Sequence, residues 1–184
     1  MTLSWADLML YCGALVILFL TPGPVWLALM ARGLSGGFRA AWPLALGVAI
    51  GDIVWPLVAV LGISWILPVF DTFMLVLRWV ACGVFIVMGA MLIRHAGAAI
   101  SADSRLTRPG MMAGFLAGIL AILGNPKAVL FYMGVLPGFF DLRTVTWIDV
   151  TLIIGASVLI PLLGNLTMAA FVGRVRSFVT TSGA

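Results

Sequence analysis

The sequence contains no glutamate, one lysine, one histidine and two cysteines among its 184 residues. Charged residues make up only 9% of the chain and hydrophobic residues 64%, whereas about a quarter of the residues of a soluble domain are charged. So few charges exclude a soluble globular domain, because they cannot solvate its surface. The composition therefore predicts an all-α polytopic membrane protein, a bundle of transmembrane helices that forms one domain over residues 1–184.

The two cysteines, Cys12 and Cys82, both lie inside apolar runs. This placement argues against a disulfide framework and against a zinc site with paired ligands, so we interpret both as packing residues. Residues 1–7 contain no basic residue, and no cleavage pattern follows the first apolar run, so we do not expect a cleaved signal peptide. Nothing in the sequence indicates a metal or an organic cofactor.

Five apolar segments are long enough to cross the hydrocarbon core of a bilayer, which is about 30 Å thick. A polar stretch over residues 94–110 ends in Pro109-Gly110 and marks a boundary between two halves. The predicted organisation is a first repeat over residues 1–99, the linker 94–110 and a second repeat over residues 111–184. The predicted spans are Leu8–Ala31, Trp42–Leu67, Phe73–Ile93, Met111–Phe140 and Val150–Val172.

The net charge of +4 is explained by membrane orientation and does not indicate nucleic-acid binding. Seven arginines fall in the connection after the first span, in the central linker and in the tail, against one or two on the opposite side. The positive-inside rule therefore predicts an external N-terminus and a cytoplasmic C-terminus. The seven residues are Arg32, Arg39, Arg94, Arg105, Arg108, Arg174 and Arg176.

The two halves carry proline-containing segments at matching places. The separation of Pro22 from Pro126 equals that of Val25 from Val129, which indicates an internal duplication. Halves of three helices each would be inverted relative to one another. The second half has only two predicted spans, so we expect an incomplete inverted repeat whose sixth helix is missing from this sequence.

Both proline segments are predicted breaks in transmembrane helices. Pro22 and Pro24 remove two backbone donors within three residues, so helical hydrogen bonding must be interrupted there. A helix that begins near Pro24 would present free N–H groups and its positive dipole end to a carboxylate. Discontinuous helices in corresponding positions indicate a substrate site. The predicted substrate-binding residues are Thr21, Pro22, Gly23, Pro24, Asn125 and Pro126.

Asp52 and Lys127 are the two charged residues predicted near the bilayer centre. An ionised Asp at that depth costs roughly 2.5–3.5 kcal/mol, so we expect the two residues to pair. In one interpretation they form a structural salt bridge that fixes helix packing. In the other, Asp52 loses its Lys127 contact when the protein changes shape and takes up a proton, because burial disfavours the charged carboxylate. Under the second interpretation both residues couple transport to protons.

Two Gly-xxx-Gly patterns, at Gly47/Gly51 and Gly114/Gly118, let helices approach closely. The pattern does not distinguish packing inside the bundle from packing between the subunits of a homo-oligomer. In the last span, Pro161 is interpreted as a kink, and Asn165 is expected to form a helix-to-helix hydrogen bond.

Four sequence motifs, in this order along the chain, resemble the hallmarks of the LysE/RhtB family of amino-acid exporters. The resemblance implies a bacterial plasma (inner) membrane carrier, not an enzyme, that expels amino acids or amino-acid-like metabolites and uses the proton motive force. It implicates the residues of both proline breaks together with Asp52 and Lys127, and it leaves the amino acid unspecified. The motifs are Thr21–Pro24, Gly47–Asp52, Gly124–Ala128 and Leu136–Phe140.

Three other classes compete with this interpretation. A transmembrane thiol-redox carrier would need two cysteines close to the helix breaks, and Cys12 and Cys82 are distant from them in sequence. A non-transporting scaffold or accessory subunit would leave the paired breaks and the midplane charges unexplained. A passive channel would need a row of polar residues along one helix face, and the first, third and fifth predicted spans lack one.

Overall fold

The computed structural model describes residues 2–66 and 110–181, together with the isolated helical positions 79, 83, 86, 90 and 94. These residues are mainly helical and include no strand, which confirms the predicted all-α class. A π-helical turn at Phe131–Val135 and a 3₁₀ turn at Leu136–Gly138 precede the last helix. The helices are α1 (Trp5–Leu20), α2 (Pro24–Gly36), α3 (Phe38–Gly51), α4 (Val54–Ile66), α5 (Met111–Leu123), α6 (Pro126–Leu130) and α7 (Trp147–Thr181).

Two helical stretches, Phe38–Gly62 and Trp147–Phe178, are long and apolar enough to cross a membrane. The first stretch combines α3 with most of α4 across the turn at Asp52. The pair α1 and α2 passes the same test when taken together, with a bend of 55°, and so does α5 with the segment Pro126–Gly138, with a bend of 46°. The described residues thus supply up to four spans, which correspond to the first, second, fourth and fifth predicted ones. The predicted third span, Phe73–Ile93, and the linker lie outside the described residues apart from isolated positions.

The first break follows directly from its prolines. α1 ends at Leu20 and α2 begins at Pro24, as predicted, because a proline at the first helical position gives up no hydrogen bond that the helix needs. Gly23 precedes α2 in an extended conformation and makes no side-chain cap. The residue before α2 therefore provides no side-chain cap for the first backbone N–H groups of this helix.

The second break is capped by a side chain. α5 ends at Leu123, and Asn125 accepts a hydrogen bond from the backbone N–H of Lys127 at 3.2 Å. This is the usual N-cap arrangement for Asn, and Pro126 occupies the first position of α6. The helix after each break thus begins with a proline, but only α6 of these two helices is capped by the side chain of the residue before it.

The glycine patterns are used for packing inside this chain. α3 makes its most extensive contact with α5. A Cβ atom on Gly47 would collide with the backbone carbonyl of Phe115, and one on Gly118 would collide with the carbonyl of Leu44. These two glycines therefore allow α3 and α5 to pack backbone against backbone, as in other close membrane helix pairs.

Arg32, one of the seven orienting arginines, is buried and ties three elements together. Its Nε donates to the carbonyl of Ala40 at 2.8 Å and its Nη2 to the carbonyl of Gly110 at 3.1 Å. The side chain thus connects the end of α2 to the beginnings of α3 and α5.

Asp149 clasps the N-terminal segment to the beginning of α7. Its carboxylate accepts hydrogen bonds from the backbone N–H and hydroxyl of Thr2, at 3.1 and 2.8 Å, and from the hydroxyl of Thr146 at 2.6 Å. The N-terminal ends of α1 and α7 consequently lie together at one end of the bundle.

Candidate functional site

The two helix breaks meet at the ammonium group of Lys127. Its Nζ donates to the carbonyl of Leu18 at 2.7 Å and to the carbonyl of Thr21. The last carbonyls of a helix lack hydrogen-bond partners within it and carry a partial negative charge. A buried cation at the end of α1 therefore supplies hydrogen bonds to these carbonyls and compensates their charge. Gly23 lies beside this contact, since a Cβ there would be 3.6 Å from Nζ. Lys127, from the second break, thereby holds the end of α1 in place.

Two tryptophans satisfy further carbonyls near the breaks. The indole N–H of Trp26 donates to the carbonyl of Phe19 at 2.7 Å, and that of Trp55 donates to the carbonyl of Ile122 at 3.3 Å. Non-helical backbone at membrane depth is tolerated only where such partners exist. Each break is therefore supported by one indole, Trp26 from the same broken helix and Trp55 from α4.

A small cavity lies between the two breaks, with a volume of about 40 Å³. One water needs about 10–15 Å³ by this measure, so the cavity accommodates water and is too small for a free amino acid. Its wall is apolar except for four polar side chains, Asp52, Asn125, Lys127 and Asn165. The remaining lining residues are Leu18, Phe19, Val25, Trp26, Val48, Ile122, Ala128 and Pro161.

Asp52 lies at the turn between α3 and α4 and is only 3% exposed. Its backbone N–H bonds to the carbonyl of Val48 at 2.8 Å. The Oδ2 atom of its carboxylate is buried and has no hydrogen-bond partner among the described residues. An orphaned buried acceptor is costly, so this oxygen is suited to a water, a proton or a polar ligand.

The predicted direct pairing of Asp52 with Lys127 is wrong in this conformation. The two side chains interact electrostatically and line the same cavity, but they form no ion pair within the described part of the chain. The carbonyls that end α1 compete for the ammonium group and bind it. A structural salt bridge between these residues therefore does not describe their arrangement.

The structure brings the predicted site residues together to different degrees. Asn125 lines the cavity, and its side-chain oxygen is already used as the cap of α6. Thr21 is exposed, and its hydroxyl bonds back to the carbonyl of Ile17 at 2.8 Å. Pro22, Pro24 and Pro126 are also exposed and shape the breaks without lining the cavity.

The last helix contributes two residues to the cavity for which the sequence predicted other roles. Asn165 is 2% exposed and lines the cavity, and no hydrogen bond joins it to another helix within the described ranges, so the expected helix-to-helix bond is wrong. Pro161, interpreted as a simple kink, lies on the same wall. In the sequence, the only sign that these two residues share a wall was their spacing of one helical turn on a predicted span.

The fold and this site define a polytopic helical membrane protein with two broken helices around an internal polar cavity. The family model of the LysE type translocator matches residues 16–182. The chain therefore belongs to the LysE type translocator family, whose members are transporters.

Similar proteins carry varied descriptions. An uncharacterized membrane protein of Synechocystis is 31% identical over 86% of this chain and 77% of its own length. The chemotactic transduction protein ChpE of Pseudomonas aeruginosa is 34% identical over 61% of this chain and 54% of its own length. A leucine efflux protein of Salmonella choleraesuis is 24% identical over 71% of this chain and 62% of its own length. No solved structure matches the chain.

Proposed function

We propose that this protein exports amino acids or amino-acid-like metabolites across the bacterial inner membrane and is driven by the proton motive force. The observation that carries the proposal is the meeting of two broken helices at a cavity lined by Asp52, whose carboxylate has a buried oxygen without a hydrogen-bond partner among the described residues. Similarity to leucine efflux proteins supports an amino acid as the substrate.

The cavity has the charges that a zwitterion needs. Lys127 has three N–H donors and uses two of them on α1 carbonyls, so the third can receive a substrate carboxylate beside the uncapped beginning of α2. Asp52 lines the same cavity, and its carboxylate can accept the substrate ammonium. Phe19, Val25 and Trp26 supply an apolar wall for the substrate side chain.

Transport requires the bundle to open, because the cavity in this conformation is too small for the substrate. Opening that admits a proton to Asp52 would neutralise its carboxylate and weaken its hold on an ammonium group. Uptake of a proton on one side and its release on the other would then couple export to the gradient, with Lys127 as the second coupling residue. We further propose an inverted repeat over residues 1–99 and 111–184, with the N-terminus external and the C-terminus cytoplasmic.

The test is efflux of radiolabelled amino acids from preloaded vesicles that contain the 184-residue chain, with and without a proton uncoupler. We expect uncoupler-sensitive efflux of one amino-acid class, and its loss in Asp52→Asn. The matched control is Asp141→Asn, which removes the charge of an exposed carboxylate and should leave efflux unchanged. Proton-driven efflux that persists in Asp52→Asn would overturn the coupling role.

A second candidate is a non-transporting accessory subunit, favoured by the similarity to a chemotactic transduction protein. It predicts no efflux of any amino acid despite correct membrane insertion.

In the same vesicles, replacement of Cys12 and Cys82 by serine tests the thiol-redox alternative, which requires loss of activity. Retained efflux would exclude that alternative.

A further inference from the structure

A second group of buried polar side chains lies next to Asp52. Tyr11 and Tyr132 are both fully buried. The Tyr11 hydroxyl oxygen is 2.6 Å from the Ser157 hydroxyl, which donates to the carbonyl of Ile153 at 2.7 Å. A serine hydroxyl has one proton to donate, so Tyr11 is the donor to Ser157.

Tyr132 is the unexplained member of this group. Its hydroxyl has no hydrogen-bond partner among the described residues, and the only other buried side-chain atom in that condition there is Oδ2 of Asp52. Tyr132 lies close enough to Asp52, Tyr11 and Ser157 to interact with all three. Nearly all buried polar groups in proteins are hydrogen-bonded, and exceptions indicate a functional role or a bound water. Two orphaned groups of complementary chemistry in one neighbourhood indicate a shared occupant.

The polar group lies near Asp52 but outside the cavity wall. Tyr11, Tyr132 and Ser157 do not line the cavity, whereas Asp52 does. Tyr11 is about 9 Å along α1 from its first residue, at 1.5 Å per residue, and Ser157 lies in the first half of α7. The Asp149 clasp holds the beginnings of these two helices together. The hydroxyl groups therefore lie between Asp52 and that end of the bundle.

We propose that Tyr132, with Ser157 and Tyr11, relays protons between Asp52 and the membrane face at which α1 and α7 begin. One water bridges the Tyr132 hydroxyl to the Asp52 carboxylate. Tyr132 passes its hydroxyl proton through this water to Asp52. The Ser157 hydroxyl turns from the Ile153 carbonyl and gives its proton to Tyr132, and Ser157 takes the proton of Tyr11 in return. Tyr11 is buried in this conformation, so it is reprotonated by water when the bundle opens at that face. One proton moves, every O–H bond is restored and no electron is transferred.

The relay rests on the proposed proton coupling and assigns its route. It separates the proton path from the substrate path, because protons reach Asp52 on the side away from the cavity. The other titratable groups near Asp52 and Tyr11 are Lys127, which faces the cavity and is bound by α1 carbonyls, and Cys12. The rings of Phe139 and Phe140 pack edge-on against the Tyr11 ring, with centroid distances of 5.7 and 5.2 Å.

The first test compares two transport modes of Tyr132→Phe in vesicles, since this substitution removes one oxygen and keeps the ring. Exchange of labelled for unlabelled leucine needs no net proton movement, and we expect it to change less than twofold. Accumulation driven by an imposed pH gradient should fall about a hundredfold or more, the lower end of what one positioned proton-transfer group contributes. Thr167→Val removes an exposed hydroxyl of α7 that bonds only to its own helix and should alter neither mode.

The second test does not depend on transport. The infrared carbonyl band of protonated Asp52, assigned by its loss in Asp52→Asn, is followed after a rapid pH change. The relay predicts that Tyr132→Phe slows the appearance of this band while its final intensity is little changed. An unchanged rate would overturn the relay.

The outcomes separate the relay from the proposed function. Normal gradient-driven accumulation in Tyr132→Phe would overturn the relay and leave export intact. Loss of both transport modes in a folded variant would assign Tyr132 to substrate binding and also overturn the relay. A wild-type chain that exchanges leucine without any response to pH would overturn proton coupling and the relay together, and export would stand.

Discussion

The two helix breaks carry the same proline signature and serve the cavity in different ways. In the first break, Thr21, Pro22 and Pro24 are exposed, and the break contributes backbone carbonyls and an uncapped helix start. In the second break, Asn125 and Lys127 are buried, and it contributes side chains. The first break therefore presents partial charges of the main chain, and the second holds them in place.

This difference explains how a duplicated element can form an asymmetric site. A zwitterionic solute has two unlike ends, and two identical breaks would present the same groups to both. Asp52, at a turn between α3 and α4, and Asn165, in the uninterrupted helix α7, extend the asymmetry to the neighbouring helices.

We expect the largest effect from Lys127→Met, because this substitution removes the side chain that links the two breaks. Two α1 carbonyls would lose a charged donor, and hydrogen bonds to charged groups contribute about 1.5–3 kcal/mol each. We expect loss of transport and a clear fall in the Tm of the purified protein. Arg39→Met, which removes an exposed cation, is the control, and equal Tm changes in the two variants would contradict the assignment.

A smaller effect distinguishes the capping of the two breaks. Asn125→Ala removes the side-chain cap of α6, at a cost of about 1 kcal/mol. Thr21→Val removes a hydroxyl that is exposed and bonds within its own helix, so its effect should be a few tenths of that. Thermal unfolding of the two variants measures the ratio, and a larger loss in Thr21→Val would reverse the proposed division of roles.

The smallest expected effect compares the two indole supports. Trp26→Phe removes a 2.7 Å hydrogen bond to the first break, and Trp55→Phe removes a 3.3 Å bond to the second. A typical net hydrogen bond contributes about 1 kcal/mol, and long ones contribute less. We expect Trp26→Phe to lower the Tm more than Trp55→Phe, and the opposite order would show that the first break does not depend on its indole.

The helix boundaries at the breaks could be predicted from sequence because the cause is local. Pro24 and Pro126 lack an N–H that the first turn of a helix does not need, so each favours a helix start, and both do begin a helix. The burial of Asp52 was also predictable, since it is an isolated charge within a long apolar segment. The family followed from motifs that stand in a fixed order.

The partners of the buried groups could not be predicted, because they depend on how distant helices align. Lys127 was assigned to Asp52, but the ends of α1 bring carbonyls closer to its ammonium group. Asn165 was expected to bind another helix and lies instead on the cavity wall. Contacts such as Tyr11 with Ser157 join residues that are far apart in sequence, and no local pattern indicates them.

The most direct test of the account is whether substrate occupies the cavity between the breaks. A cysteine is introduced as Asn165→Cys in a chain whose Cys12 and Cys82 are replaced by serine, and its rate of modification by a small thiol reagent is measured in membranes. The account predicts that the exported amino acid slows this modification about tenfold at saturation and leaves Thr144→Cys, in an exposed connection, unaffected. Equal rates at Asn165→Cys with and without the amino acid would contradict the assignment of the cavity as the transport site.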